Sequence, residues 1–86
     1  MDRAMMVQVR LFAGLRGLVG DRDIDIEVPA GATVEALRRR LAEEYRVLGP
    51  LMPTLVVAVS EEVQPLDRVL ADGEHVDLIP PISGGR

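Results

Sequence analysis

The sequence predicts an α+β domain: a small mixed sheet, one main helix packed on one face, and a projecting C-terminal tail. Three observations carry this. Apolar and polar residues alternate from Met6 and again from Asp23, the period of a half-buried strand. Val34, Leu37, Leu41, Tyr45 and Leu48 recur at three- and four-residue steps, which makes one apolar stripe on a helix. The chain then closes on Ile79-Pro80-Pro81-Ile82-Ser83-Gly84-Gly85-Arg86, where consecutive prolines stop a strand and glycines follow.

Taken in order, residues 1–5 (MDRAM) show no pattern and are expected to be a disordered or non-native start, with Met5 or Met6 as a possible initiator. The folded domain is expected over residues 6–79 and the extended tail over 80–86. In the first strand Val7, Val9 and Leu11 point one way, Gln8, Arg10 and Phe12 the other. Residues 14–20 are too short and glycine-rich for more than a turn or two of helix. The second strand puts Ile24, Ile26 and Val28 inward and Asp23, Asp25 and Glu27 outward. Three carboxylates on one strand face suit a charge-protected sheet edge better than a cation site, which needs loop oxygens as well.

Thr33 is a good N-cap for a helix from Val34 to about Leu48, with Glu35 favourably placed in its first turn. Arg38, Arg39 and Arg40 cannot all share one helix face; with Glu35–Arg39, Arg39–Glu43 and Arg40–Glu44 spaced for helical ion pairs, a solvated face is a better reading of the triplet than a phosphate site. Gly49-Pro50 ends the helix. Residues 55–59 form a strand apolar on both faces, Ser60-Glu61-Glu62 a turn, and Pro65 to Leu70 a loop with a helical turn. Residues 71–74 turn into a last strand, His75 to Ile79, with Val76 and Leu78 inward.

Composition excludes several functions. Phe12 and Tyr45 are the only aromatics, so the core is aliphatic and stacking on nucleic-acid bases is disfavoured. With no cysteine and His75 as the only histidine, the chain offers no thiol nucleophile and no histidine metal cluster, hence no catalytic site of its own. No apolar run approaches a membrane span, and a cytoplasmic protein is the expectation. Residues 1–46 balance eight arginines with eight acids, so the net charge of −4 falls in the half that ends in the tail. That asymmetry favours a basic protein partner, although solvated loops explain it equally. The chain has no lysine, so it cannot accept an isopeptide bond on its own side chains.

Pairing the first and last strands in parallel at the centre, through right-handed connections, gives the ubiquitin-like β-grasp order. Phe12, Val56, Ala58 and Ile79 then cluster on the sheet face away from the helix. They form an exposed docking patch unless residues 15–19 or the loop after Met52 cover them. Pro80 and Pro81 stiffen the tail, and Gly84 and Gly85 make its tip slim enough for a narrow channel. A frayed terminus is the other reading of that composition.

The runs Val9-Arg10-Leu11-Phe12-Ala13, Leu18-Val19-Gly20, Thr33-Val34-Glu35-Ala36-Leu37, Asp72-Gly73-Glu74-His75-Val76 and Pro80-Pro81-Ile82-Ser83-Gly84-Gly85 resemble the small subunit of molybdopterin synthase, one of the ubiquitin-like sulfur carriers. The resemblance runs from about Met6 to Gly85. It implies that Gly85 is adenylated by an E1-like activating enzyme using ATP, and that this chain binds no cofactor itself. It further implies conversion to a thiocarboxylate, uptake of the tail by the large synthase subunit, and sulfur transfer to a pyranopterin precursor. Two departures stand out. Ser60 replaces an asparagine common in the family, and Arg86 follows the glycine at which members generally end. The second implies a precursor that a peptidase trims. Carriers serving thiazole, tRNA thiolation or cysteine, a ubiquitin-like modifier, and a β-grasp interaction domain are the competing functions.

Overall fold

The first alternating run becomes β1 (Ala4–Leu11), two residues longer at its start than the period predicts. A computed structural model describes residues 3–20 and 22–80. Met5 pairs with Val28 and is 8% exposed, within the core. Ala4 pairs with Pro29, and the Arg3 carbonyl accepts from the Ala30 N–H at 2.7 Å. The boundary at Met6 is therefore corrected to include Ala4 and Met5. The run Ala4-Met5-Met6-Val7 is apolar at every position, which hides the alternation from the sequence.

After β1 come α1 (Leu15–Val19), β2 (Asp23–Pro29), α2 (Val34–Glu44), β3 (Val56–Val59), β4 (Glu62–Val63) and β5 (His75–Ile79). The sheet order is β2-β1-β5-β3-β4, with β1 and β5 parallel and the other neighbours antiparallel. This is the mixed β-grasp sheet, and its β2 edge carries the outward Asp23, Asp25 and Glu27. The two-residue β4 is an addition to the expected elements.

One face of the sheet makes the core. Val7, Val9 and Leu11 of β1, Ile24, Ile26 and Val28 of β2, Val57 of β3, and Val76 and Leu78 of β5 are buried against Val34, Leu37 and Leu41 of α2. Each contributes about 1.5–3 kcal/mol by leaving water. The helix starts where predicted: Thr33 Oγ1 accepts from the Ala36 N–H at 3.2 Å. The carbonyls of Arg68 and Leu66 accept from the N–H groups of Val34 and Glu35 at 2.9 and 3.0 Å, so the 65–70 loop satisfies donors that a helix N-terminus otherwise leaves open. The helix stops at Glu44, earlier than expected, and a 3₁₀ turn (Arg46–Leu48) brings the buried Leu48 onto the stripe.

The arginine triplet divides. Arg39 pairs with Glu35 at 3.6 Å and Arg40 with Glu44, both solvated helical pairs. Arg38 does not share that face: its Nη1 donates to the Leu55 carbonyl at 2.7 Å and its Nη2 to the Met52 carbonyl at 2.6 Å. These bonds fasten the 3₁₀ turn Met52–Thr54 to α2 and fix the entry to β3. The 34, 38, 41, 45 spacing, which places Arg38 on the flank of the apolar stripe, is the sequence signal for it.

Two features generate predictions. The β3–β4 hairpin turns on Ser60 and Glu61, both at positive φ (52° and 68°), a conformation costing a side-chain-bearing residue about 1–2 kcal/mol and suited to Asn-Gly. Combining Ser60→Asn with Glu61→Gly should raise stability by about 1–2 kcal/mol in urea denaturation. The second feature is Glu74, which accepts from Arg68 Nη2 at 2.6 Å and from the Ala71 N–H at 2.9 Å. The Arg68 hydrogen bond holds its carboxyl below the usual carboxylate range, against an opposing effect of burial. The stability this provides is present above the unfolded-state value and is lost as pH falls through the lower folded-state one. Glu74→Gln should therefore destabilise the fold at neutral pH, and its deficit relative to the parent chain should shrink on acidification. A constant deficit across denaturation curves from pH 7 down to about pH 2.5 would contradict this.

Candidate functional site

The tail leaves from the middle of the sheet. β5 lies between β1 and β3, ends at Ile79, and passes the chain to Pro80. Ile79 is in register with Val56 on the outer face, and the Phe12 N–H donates to the Leu78 carbonyl at 3.2 Å. Phe12, Val56, Ile79 and Pro80 are thus gathered at the tail's exit, all half-buried. Leu15 and Met52 themselves turn into the core, while Arg16 of α1 shares a hollow with Phe12.

Ala58 departs from the expectation. It lies on the outer face opposite Asp77 and Val63 but is only 2% exposed. A methyl group is too short to rise above those neighbours, so Ala58 floors the face and offers a partner no accessible surface. Pro81, Ile82, Ser83, Gly84, Gly85 and Arg86, the remaining predicted site residues, lie outside the described residues.

Further from the exit the outer face is polar. Gln8, Ser60, His75 and Asp77 are among the walls of a hollow of about 210 Å³. Its edge bonds are long and exposed: Arg10 Nε donates to Asp23 Oδ1 at 3.4 Å and Gln8 Nε2 to Asp25 Oδ1 at 3.5 Å. No base-to-nucleophile hydrogen bond is found here among the described residues. What the described residues build is a surface around an exit.

Sequence order also misplaced the charge. Because β1 runs parallel to β5, the C-terminal end of β1, then α1 and the start of β2, lie at the end of the sheet where the tail leaves. Arg10, Arg16 and Arg22 come from that N-terminal half and line a hollow of about 230 Å³ with Leu11 and Phe12. The acids of the tail half lie largely elsewhere: Glu61, Glu62, Asp72 and Glu74 sit at the hairpin and the turn by the opposite end of β5. Among the described residues, that end of the sheet carries Arg10, Arg16 and Arg22 together with Asp23 and Asp77, so net charge counted along the chain does not describe it. Strand parity and direction held this signal, but reading it required the pairing.

A β-grasp domain whose central strand ends at Ile79 and Pro80 beside an apolar outer patch is a ubiquitin-like protein of the carrier class. The chain belongs to the ThiS family, whose sequence pattern matches residues 9–85. It is 36% identical over 83 residues to the molybdopterin synthase sulfur carrier subunit of Chlamydomonas reinhardtii, covering 94% of this chain and all of that one. It is 35% identical over 92 residues to small archaeal modifier protein 3 of Haloferax volcanii, covering 94% of this chain and all of the relative. Among solved structures, the fold matches one in the complex of subunits 1 and 2 of the molybdopterin-converting factor from Helicobacter pylori. That match has a TM-score of 0.67 and 26% identity, and covers 94% of this chain and 100% of that chain. Among the described residues, no helix is long and apolar enough to cross a membrane.

The patch yields a direct test. Ile79→Asp places a charge at the exit without entering the core, and should weaken binding to a tail-accepting partner by about 30-fold or more while leaving the circular dichroism spectrum and thermal midpoint near those of the parent. Unchanged affinity of the folded variant would remove the patch from the interface.

Proposed function

We propose that this chain is the sulfur carrier subunit of a molybdopterin synthase, with the Gly85 carboxylate as its reactive group. The observation that carries the proposal is the family match, which runs through the β-grasp domain and ends at Gly85. A carboxylate is a poor electrophile. In the proposed sequence an activating enzyme directs a Gly85 oxygen onto the α-phosphorus of ATP, releasing pyrophosphate and leaving an acyl-adenylate. Sulfide, or a persulfide whose S–S bond a thiol then cleaves with formation of a disulfide, displaces AMP, and the resulting thiocarboxylate passes to the large synthase subunit. Nucleotide and metal sites belong to the partners. This chain supplies the docking surface and the tail, whose prolines reduce the entropy lost on threading and whose glycines allow close backbone approach.

A second reading is favoured by the similarity to a small archaeal modifier protein: attachment of the same activated glycine to lysines of other proteins. The product separates the two. A carrier returns as a chain with one terminal oxygen replaced by sulfur, and a modifier as a branched adduct.

Arg86 decides whether the chain reacts as it stands. While Gly85 is in peptide linkage to a bulky, permanently charged residue, it has no free carboxylate to adenylate, and a glycine-sized channel suits neither that size nor that charge. A chain ending at Gly85 should form the adenylate and the thiocarboxylate with its activating enzyme, whereas the Arg86 chain should remain inert until a peptidase trims it. Intact mass of the two chains after incubation with enzyme, ATP and a sulfur donor is the measurement. Equal activation of an untrimmed Arg86 chain would refute the precursor reading, and inertness of both would favour a β-grasp interaction domain without tail chemistry.

A further inference from the structure

Any protein that encloses the tail as far as Pro80 must also lie against the residues flanking the exit. On the β1 side those are Phe12 and the hollow it shares with Arg10, Arg16 and Arg22. All three arginines are exposed in the free chain. Arg10 has Asp23 at 3.4 Å, a contact open to solvent with the two side chains 62% and 43% exposed, and lies opposite Asp77; Arg22 has a contact of its own, so the replacement charge is needed chiefly at Arg16. Covering this surface removes water from the guanidinium groups, a loss amounting to several kcal/mol per ion unless opposite charge replaces it. A carboxylate suits the vacated hydration sites, since each guanidinium presents a planar fork of N–H donors that two carboxylate oxygens can accept.

We propose, resting on the sulfur-carrier reading, that the hollow between Phe12 and Arg10, Arg16 and Arg22 is a recognition site for carboxylate side chains at the mouth of the partner's tail channel. The partner is therefore acidic there, the opposite of what this chain's net charge of −4 suggests. The acidic pole at Glu61, Glu62 and Asp72 is about a strand's length away, roughly 13 Å from one end of β5 to the other. That exceeds a Debye length at physiological salt, so the two poles act on an approaching protein almost independently. The molecule approaches with its basic, tail-bearing end forward and its acidic end away from the partner. The site holds no reacting atoms. Its role is to set orientation and association rate before the tail enters.

The test uses the chain ending at Gly85, with the activating enzyme and the large synthase subunit as separate partners. Association rate and Kd are measured from about 50 mM to about 500 mM NaCl for the parent, Arg16→Glu, Arg22→Gln, and the opposite-pole pair Glu61→Arg with Glu62→Arg. Arg16→Glu should weaken binding by about 30-fold or more at low salt and flatten the salt dependence, Arg22→Gln should do so less, and the opposite-pole pair should change Kd by less than about twofold. Circular dichroism verifies folding, and Arg16→Gln replaces Arg16→Glu if the latter unfolds. Parent-like binding by the Arg16 variant, or weakening confined to the opposite-pole pair, overturns the proposal while leaving the sulfur-carrier reading in place. Failure of the parent chain to bind either partner at any salt overturns that reading and this inference with it.

Discussion

The parallel pairing of β1 with β5 is the constraint on which the rest of the molecule depends. Its register sets Val9 beside Val76 and Leu11 beside Leu78, four side chains at most 1% exposed at the centre of the core. Because a strand's side chains alternate, the same register places Arg10 opposite Asp77 on the outer face. A one-residue slip would exchange the two faces. The pairing continues beyond the ladder at both ends: the Gln8 N–H donates to the Glu74 carbonyl and the Gly73 N–H to the Met6 carbonyl, while the Phe12 N–H reaches the Leu78 carbonyl. The tail's exit is therefore anchored by the most buried part of the fold.

Around that centre, the irregular segments act as braces. The 65–70 loop closes the open donors of α2, Arg68 and Glu74 join it to the turn before β5, and Arg38 ties the approach to β3 back onto the helix. Val56 and Ile79 thus sit on strands fixed from both sides. A platform held in this way loses little conformational freedom when a partner docks on it.

Much of this was legible in the sequence, for physical reasons that differ by element. Alternation marked β2 because its outward residues are all charged, and Thr33 marked the helix start because its side chain can cap it. The apolar stripe identified the buried face of α2 and, in the 3₁₀ turn beyond it, Leu48. The parallel centre followed from the order of elements, and the patch at Phe12, Val56 and Ile79 from strand parity. What escaped was whatever depends on neighbours in space. Ala58 has the right parity but too short a side chain to reach the surface. Arg38 looks like its two neighbours until the carbonyls of Met52 and Leu55 are placed beneath it. Ala4 and Met5 were lost because an unbroken apolar run has no visible period. Charge summed along the chain does not describe the exit, since the strand that brings Arg10 there comes from the other half of the sequence.

The direction of β1 has a practical consequence. Because β1 is parallel to β5, anything joined ahead of Arg3 emerges at the end of the sheet remote from Pro80, beyond an eight-residue strand spanning roughly 25 Å. Many domains bring their termini together and so tolerate circular permutation. Here Arg3 and Pro80 lie at opposite ends of the sheet. An affinity handle or fluorescent fusion at the amino end would leave the exit clear, whereas the same addition at the carboxyl end would burden the segment that the proposed function requires to be free.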